Sequence, residues 1–306
     1  MTTAAGLKGN MLKLLLLGAS GQLGKELSRT LPSVGEIKAS DRSDTDLTNW
    51  QSILAVLDAF KPDVIVNAAA YTNVDKAESE RKLAFDINAE AVGFLANEAK
   101  KRDIWLFHYS TDYVFDGRKV EAYVETDATN PLSVYGKSKL AGEKAIAAIG
   151  CKYLVFRTSW VMGRDGSNFA KVVLRLATER ESLSVINDQF GVPTSPALIS
   201  KVTLDATDAI KKGDSWPMGI YHLVPKGKTT WFGIAEALLK HASDANIELL
   251  TKASQLKAIT AAEYPTTASR PTNSHLNTGK LSLQLSFDLP NWRDDFAATA
   301  EAIIRK

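Results

Sequence analysis

Cysteine is nearly missing from this 306-residue sequence: Cys151 stands alone, so no internal disulfide can form and a reducing, cytoplasmic setting is expected. The surrounding CKYLVF reads as a strand, which makes that thiol a packing group rather than a nucleophile. Long apolar runs are missing too. None reaches the ~18 residues a spanning helix needs, and the leader MTTAAGLKGN has no apolar centre, so neither a membrane span nor a secretory signal is expected. An excess of one charge is also lacking. With a formal net charge of +2 and basic residues scattered along the chain, binding to nucleic acid or to a membrane surface is not expected. What is present is an ordinary globular balance, 45% hydrophobic and 24% charged, enough for a sizeable core.

LKLLLLGAS (12–20) is a continuous apolar run ending in small residues, the pattern of a strand buried on both faces. In TNWQSILAVLDAF, Trp50, Ile53, Leu54, Leu57 and Phe60 recur at three and four residues and predict an amphipathic helix stopped by Pro62. DVIVNAAA (63–70), WLFHYST (105–111) and KYLVFRTSW (152–160) read as further buried strands. Between them lie a helical stretch with Leu83, Ile87, Ala91, Phe94 and Leu95 on one face, and the helix YGKSKLAGEKAIAAI. Such alternation predicts an α/β fold, a doubly wound, Rossmann-like parallel sheet. After about residue 163 it loosens into helices near 168–179, 198–211 and from Trp231, a strand at 219–224 and the Thr/Ser/Pro-rich AAEYPTTASRPTNSHLNT. This later part is expected to be a smaller α/β C-terminal lobe, with the ligand between lobe and sheet; residues 1–10 are expected to be a loose extension.

Gly18, Gly21 and Gly24 form GASGQLG between the first strand and the helix-forming KELSRTL. Glycines there permit a tight turn and let backbone N–H groups at a helix start approach a pyrophosphate, although G-x-x-G-x-x-G departs from the G-x-G-x-x-G spacing. A ligand-free turn is the plainer reading; the strand-then-helix context favours a dinucleotide site. Asp41 and Arg42 end the expected second strand EIKASDR. The acid suits the ribose hydroxyls of NAD and the arginine the 2′-phosphate of NADP, so the preference stays open. Asp46 and Leu47 suit either a helix N-cap or an adenine contact. Tyr135 and Lys139, in VYGKSKLAGEK, are one helical turn apart and share a face. That spacing also arises by chance, so chemistry must decide: an ammonium beside a phenol stabilises the phenolate and lowers a pKa of ~10 toward neutrality. Thr111, at the carboxyl end of WLFHYST, is placed to hydrogen-bond a substrate oxygen.

GASGQLG, NAAA, STDYVF and YGKSK, in this order, resemble the extended branch of the short-chain dehydrogenase/reductase superfamily. NAAAYTNVDKAE, HYSTDYVFDG, ETDATNPLSVYGKSKLAGE, FRTSWV, LSVINDQFGVPT, YHLV and YPTTASRPTNSHLNT resemble, from about residue 11 onward, the dTDP-4-dehydrorhamnose reductase family. The resemblance implies hydride delivery from NADH or NADPH to the C4 carbonyl of dTDP-4-dehydro-6-deoxy-L-mannose, giving dTDP-L-rhamnose. Carried onto this sequence, it makes Tyr135 the proton donor, Lys139 the residue that holds the cofactor ribose and lowers the tyrosine pKa, and Thr111 the usual serine/threonine. Gly18, Gly21, Gln22, Leu23, Gly24, Asp46, Leu47, Ala68, Ala69, Ala70 and Thr72 fall at cofactor positions; Thr111, Asp112, Tyr113 and Trp160 fall at sugar-nucleotide positions. Arg270 is implied to contact a diphosphate or to close the lobes. A core aromatic and a surface ion pair are the plainer readings of Trp160 and Arg270.

The same resemblance implies a chain that passes between lobes more than once. The dinucleotide-binding domain expected over 11–162 then also receives parts of 192–230, and 163–306 is mainly the substrate lobe. Some relatives are dimers joined through magnesium on glutamates. Glu26 has no matching partner set in SPALISK, so no metal is expected, and a monomer or homodimer is, with association to the preceding epimerase left open. Two rivals share the fold. A dehydratase of this branch carries Asp-Glu where this sequence has Asp112-Tyr113, and an epimerase shows no net consumption of NAD(P)H. A regulatory subunit like that of methionine adenosyltransferase would bind dinucleotide without turnover, and the retained Tyr135, Lys139, Thr111 and glycine turn argue for catalysis.

Overall fold

The computed structural model describes residues 11–214 and 216–305; the extension expected over 1–10 lies outside the described residues. The strands are β1 (Leu12–Leu17), β2 (Gly35–Ser40), β3 (Val64–Asn67), β4 (Trp105–Thr111), β5 (Lys152–Thr158), β6 (Leu183–Ile186), β7 (Phe190–Gly191), β8 (Gly219–His222), β9 (Thr229–Thr230) and β10 (Leu256–Ile259). The helices are α1 (Gln22–Thr30), α2 (Trp50–Phe60), α3 (Arg81–Phe85), α4 (Ala91–Arg102), α5 (Val134–Ile149), α6 (Phe169–Glu179), α7 (Pro196–Lys212), α8 (Trp231–Asp244), α9 (Gly279–Ser282) and α10 (Trp292–Ile304).

Six strands form one parallel sheet in the order β2-β1-β3-β4-β5-β8. β1 is leucine-rich because both its faces are covered. Leu12, Leu14 and Leu16 pack with Leu27 of α1 and Leu198 and Val202 of α7, while Leu15 and Leu17 pack with Ile53 and Leu57 of α2 and Leu95 of α4. Each such burial contributes roughly 1.5–3 kcal/mol. The strand order reverses between β1 and β3, and the loops that leave those strands open at the carboxyl end of the sheet, where α/β sheets take ligands. A second core gathers around Ile234, Leu238, Trp292 and Phe296, and Phe115 and Tyr123 from the earlier half join it.

Four local expectations are corrected. The helix expected through Leu83 and Leu95 is interrupted by one wide π-helical turn over 86–90, which shifts the buried face and draws in Asn88. The N-cap of α2 is Asn49, whose side chain accepts from Gln51 N and Ser52 N; Asp46 instead accepts from Thr48 N at 2.9 Å. Cys151 lies one residue before β5, buried, and burial pushes its thiol pKa up. β8 ends at His222 rather than at 224. No helix among the described residues is long and apolar enough to cross a membrane.

Candidate active site

A cavity of about 1040 Å³ opens at the carboxyl end of the sheet, with the glycine turn on one side and Trp231 on the other. Every residue singled out in the sequence for cofactor or sugar lines it, except Gly24 and Arg270. Gly24 instead lets α1 touch the turn before it, since a Cβ there would lie 2.0 Å from Gly18 O.

At the cofactor end, Gly18 has φ +84, and a Cβ on it would lie 2.7 Å from Ala69 Cα, so only glycine fits between the two loops. No side chain caps α1 at Gly21, which leaves its first-turn N–H groups and the positive end of its dipole for an anion. Gln22 is committed elsewhere: its Oε1 accepts from Asn168 Nδ2 at 2.9 Å and Gly163 N at 3.3 Å. Asp41 Oδ1 accepts from Ser43 N and Ser43 Oγ, and the exposed Arg42 lies 3.7 Å from Asp46. An acid for ribose hydroxyls and an arginine for a phosphate therefore stand side by side.

α5 begins at Val134 because Ser133 Oγ accepts from Gly136 N at 3.1 Å and Glu78 Oε1 accepts from Val134 N at 2.8 Å. A Cβ on Gly136 would lie 2.2 Å from Tyr113 O, so glycine seats this helix directly against the turn that follows Thr111. Tyr135 is thereby brought close to Thr111, and meets the Tyr113 ring edge-on at 5.9 Å between centroids. The phenol faces the cavity yet is closely enclosed. Burial pushes its pKa up to about 12, the charge of Asp112 acts in the same direction, and the nearby Thr111 hydroxyl pulls it back. Lys139 is 1% exposed; its Nζ donates to Tyr109 O at 2.7 Å and lies 3.2 Å from His108 Nε2. Burial pushes Lys139 down to about 8, against the upward pull of Glu143. The expected lowering of the phenol by the lysine is thus not the balance in this structure. Burial dominates both groups, and the lysine's hydrogen-bond partners lie on β4. A phenol held at about 12 stays protonated through the neutral range, ready to donate to an oxyanion.

On the sugar side, Asp112 is 2% exposed, accepts from Thr111 Oγ1 at 3.0 Å and has its Oδ2 unpartnered. Burial raises its pKa to about 7. A buried, unpaired carboxylate oxygen at a cavity wall suits a ligand bearing hydroxyls. Trp160 adopts φ +42, a left-handed backbone that costs energy for an aromatic residue. It stacks on Trp231 at 4.0 Å between centroids, and Phe169 braces Trp231 at 4.8 Å. Trp231 and Phe169 each stand at a helix start and show no periodicity of their own, so nothing in the sequence marks them as parts of the site. Arg270 lies off the cavity wall. It grips Asp75 with two hydrogen bonds, 2.7 and 3.2 Å, joining the segment after β10 to the loop after β3. Glu26 pairs with Arg29 at 2.7 Å, and among the described residues no group of three or more His, Cys, Asp or Glu is gathered as for a metal.

A family model described as RmlD substrate binding domain matches residues 12–304. The dTDP-4-dehydrorhamnose reductase of Escherichia coli (strain K12) is 46% identical over 287 residues, which cover 92% of this chain and 95% of that protein. The dTDP-4-dehydrorhamnose reductase of Salmonella typhimurium (strain LT2) is 47% identical over 286 residues, 92% and 94% of the two chains. Among solved structures, dTDP-4-dehydrorhamnose reductase from Bacillus anthracis str. Ames in complex with NADP matches with a TM-score of 0.86 at 33% identity, covering 94% of this chain and 98% of that one. Over nearly its whole length, then, the chain belongs to the dTDP-4-dehydrorhamnose reductase family.

Proposed function

We propose that this chain is an NAD(P)H-dependent reductase that converts the C4 carbonyl of dTDP-4-dehydro-6-deoxy-L-mannose to the alcohol of dTDP-L-rhamnose. The observation that carries the reading is the meeting of Thr111, Tyr135 and Lys139 in one cavity with an uncapped helix start and a glycine turn. NADH or NADPH, when bound, supplies the hydride. The first-turn amides of α1 suit its pyrophosphate, and Asp41 and Arg42 suit its adenosine ribose in either form.

Tyr135 holds the proton that the carbonyl oxygen takes as the alcohol forms. Thr111 orients that oxygen, and Asp112, with its free Oδ2, accepts a sugar hydroxyl. Lys139, on the wall of the same cavity, anchors the cofactor ribose. Trp160, braced by Trp231, offers a flat apolar wall to the sugar nucleotide. No metal takes part in this reading.

The test is the loss of absorbance at 340 nm from NADH and NADPH separately, with the keto sugar generated in situ by the upstream enzymes. Tyr135→Phe should retain cofactor affinity while losing turnover by ~10²–10⁴-fold. Turnover unimpaired in Tyr135→Phe would remove the tyrosine from its role; stable cofactor binding without turnover in the wild type would remove the reductase reading.

A further inference from the structure

The alternation of β4 sends Phe107 and Tyr109 to one face of the sheet and His108 and Ser110 to the other. The second pair meets α5 one turn apart: His108 faces Lys139 and Ser110 faces Glu143. Apolar side chains would fill this helix–sheet contact more cheaply than a fully buried imidazole. The ring is held at both ends. Nδ1 lies 3.2 Å from Asn67 Nδ2, and this orientation of the amide is favoured because its Oδ1 accepts from Ala69 N at 3.2 Å. Nε2 lies 3.2 Å from Lys139 Nζ.

Burial first, and then the charge of Lys139, keep His108 neutral, well below its usual titration range. A neutral ring has one N–H and one lone pair, so its tautomer and the protonation of the lysine are locked together. With Asn67 Nδ2–H donating to Nδ1, the ring hydrogen sits on Nε2 and points at a lysine amine. Turning the amide gives up the hydrogen bond from Ala69 N, and then Nδ1–H donates to Asn67 Oδ1 and Nε2 accepts from a lysine ammonium. In both arrangements His108 and Tyr109 O fix two directions around Nζ from the sheet side, on a lysine that lines the cavity.

We propose that His108, steadied by Asn67, is a positioning residue for Lys139: it fixes the direction of Nζ at the cavity wall and couples its amine and ammonium forms to the ring tautomer. The inference rests on the reading that Lys139 serves carbonyl reduction together with Tyr135. Other charged and titratable groups also face the lysine. Glu143 lies one turn on along α5 and favours the ammonium, Arg157 on β5 pairs with Glu143, and Tyr135 precedes Lys139 by one turn. Of these, His108 is the one whose hydrogen-bond direction must change with the lysine's proton.

Two measurements test the proposal. The first is the pH profile of kcat, with KM for the sugar nucleotide, in wild type, His108→Leu and His108→Gln. His108→Leu should lose kcat by ~10–100-fold, as expected when a working group is misaimed. Its lysine-linked ionisation should move by about one pH unit or more while KM stays within about twofold. His108→Gln, whose amide reaches the Nε2 position, should recover most of the rate. Wild-type kcat and an unmoved profile in both variants would overturn the proposal. The second is ¹⁵N NMR of the imidazoles in the wild type and in Lys139→Met, which decides the matter even if His108→Leu does not fold. The His108 nitrogens should shift as Lys139 ionises, and the step should vanish in Lys139→Met; ring nitrogens that ignore that ionisation would overturn the coupling. Should the wild type not reduce the keto sugar, the reductase reading falls, and the NMR result still judges the His108–Lys139 pair separately.

Discussion

Beneath the reactive residues lies a charge pair whose removal has a calculable cost. Glu143 on α5 and Arg157 on β5 are 2% and 3% exposed, and the carboxylate accepts from Arg157 Nε at 3.0 and 3.2 Å, from Nη2 at 2.7 Å and from Ser110 Oγ. The guanidinium also lies over the Phe115 ring at 5.1 Å. Arg157→Met leaves a buried carboxylate with only the Ser110 hydroxyl, and breaking such a pair from one side costs ~3–5 kcal/mol. At about 2 °C per kcal/mol for a chain of this size, the melting temperature should fall by roughly 6–10 °C. Glu143→Leu should cost a similar amount by stranding the guanidinium. The double variant removes both charges, so most of the loss should return, less ~1 kcal/mol for the Ser110 hydroxyl that loses its acceptor. Denaturant unfolding of the four proteins gives the coupling energy directly. A single variant that loses less than ~1 kcal/mol, or a double variant that loses the sum of the two singles, would refute the reasoning. Because Glu143 stands one turn beyond Lys139, the single variants should also lose kcat before they unfold.

Two further outcomes are expected. Asp112, raised to about 7 in the fold from ~3.9 in an unfolded chain, favours the folded state in its protonated form; stability from this group is full below about pH 4 and is lost as pH rises through about 7. Urea midpoints across that window should therefore fall with pH in the wild type and flatten in Asp112→Asn, and parallel slopes would contradict the assignment. Gly191→Ala places a Cβ 2.7 Å from Trp160 Cζ2 and 2.9 Å from Ser274 Oγ, so the indole must move. KM for the sugar nucleotide should rise several-fold with cofactor affinity unchanged, and an unaltered KM would show that the Trp160 wall does not touch the substrate.

The sheet was legible because continuous apolar runs occur where strands are covered on both faces, as in β1, and β4 spans the expected 105–111. The glycine turn and the 135/139 pair were legible as motifs with chemistry. Spacing alone could not say where a lysine's hydrogens point: Tyr135 and Lys139 do share a helix, yet Nζ reaches back to β4. Nor could it reveal partners brought in from far along the chain, such as Trp231 beneath Trp160 or Asp75 beside Arg270. The π-helical turn at 86–90 was invisible because one extra residue in a helical turn shifts the hydrophobic phase without breaking it. Asn67 and His108 stood out in principle as polar residues inside apolar strands, but their meaning depends on facing each other and α5.

The position of β8 in the chain bears on how the protein is made. The sheet's sixth strand comes from residues 219–222, after α6, β6, β7 and α7 have all been synthesised. At ~5–20 residues per second, the β5 edge waits several seconds for its partner after Thr158 leaves the ribosome. During that interval Leu154, Val155 and Phe156 lie on a bare edge of parallel sheet, the kind of template with which neighbouring chains pair. Once β8 and α9 close over it, that edge is gone. The exposure of this edge to intermolecular strand pairing therefore belongs to the nascent chain and ends when β8 pairs with β5.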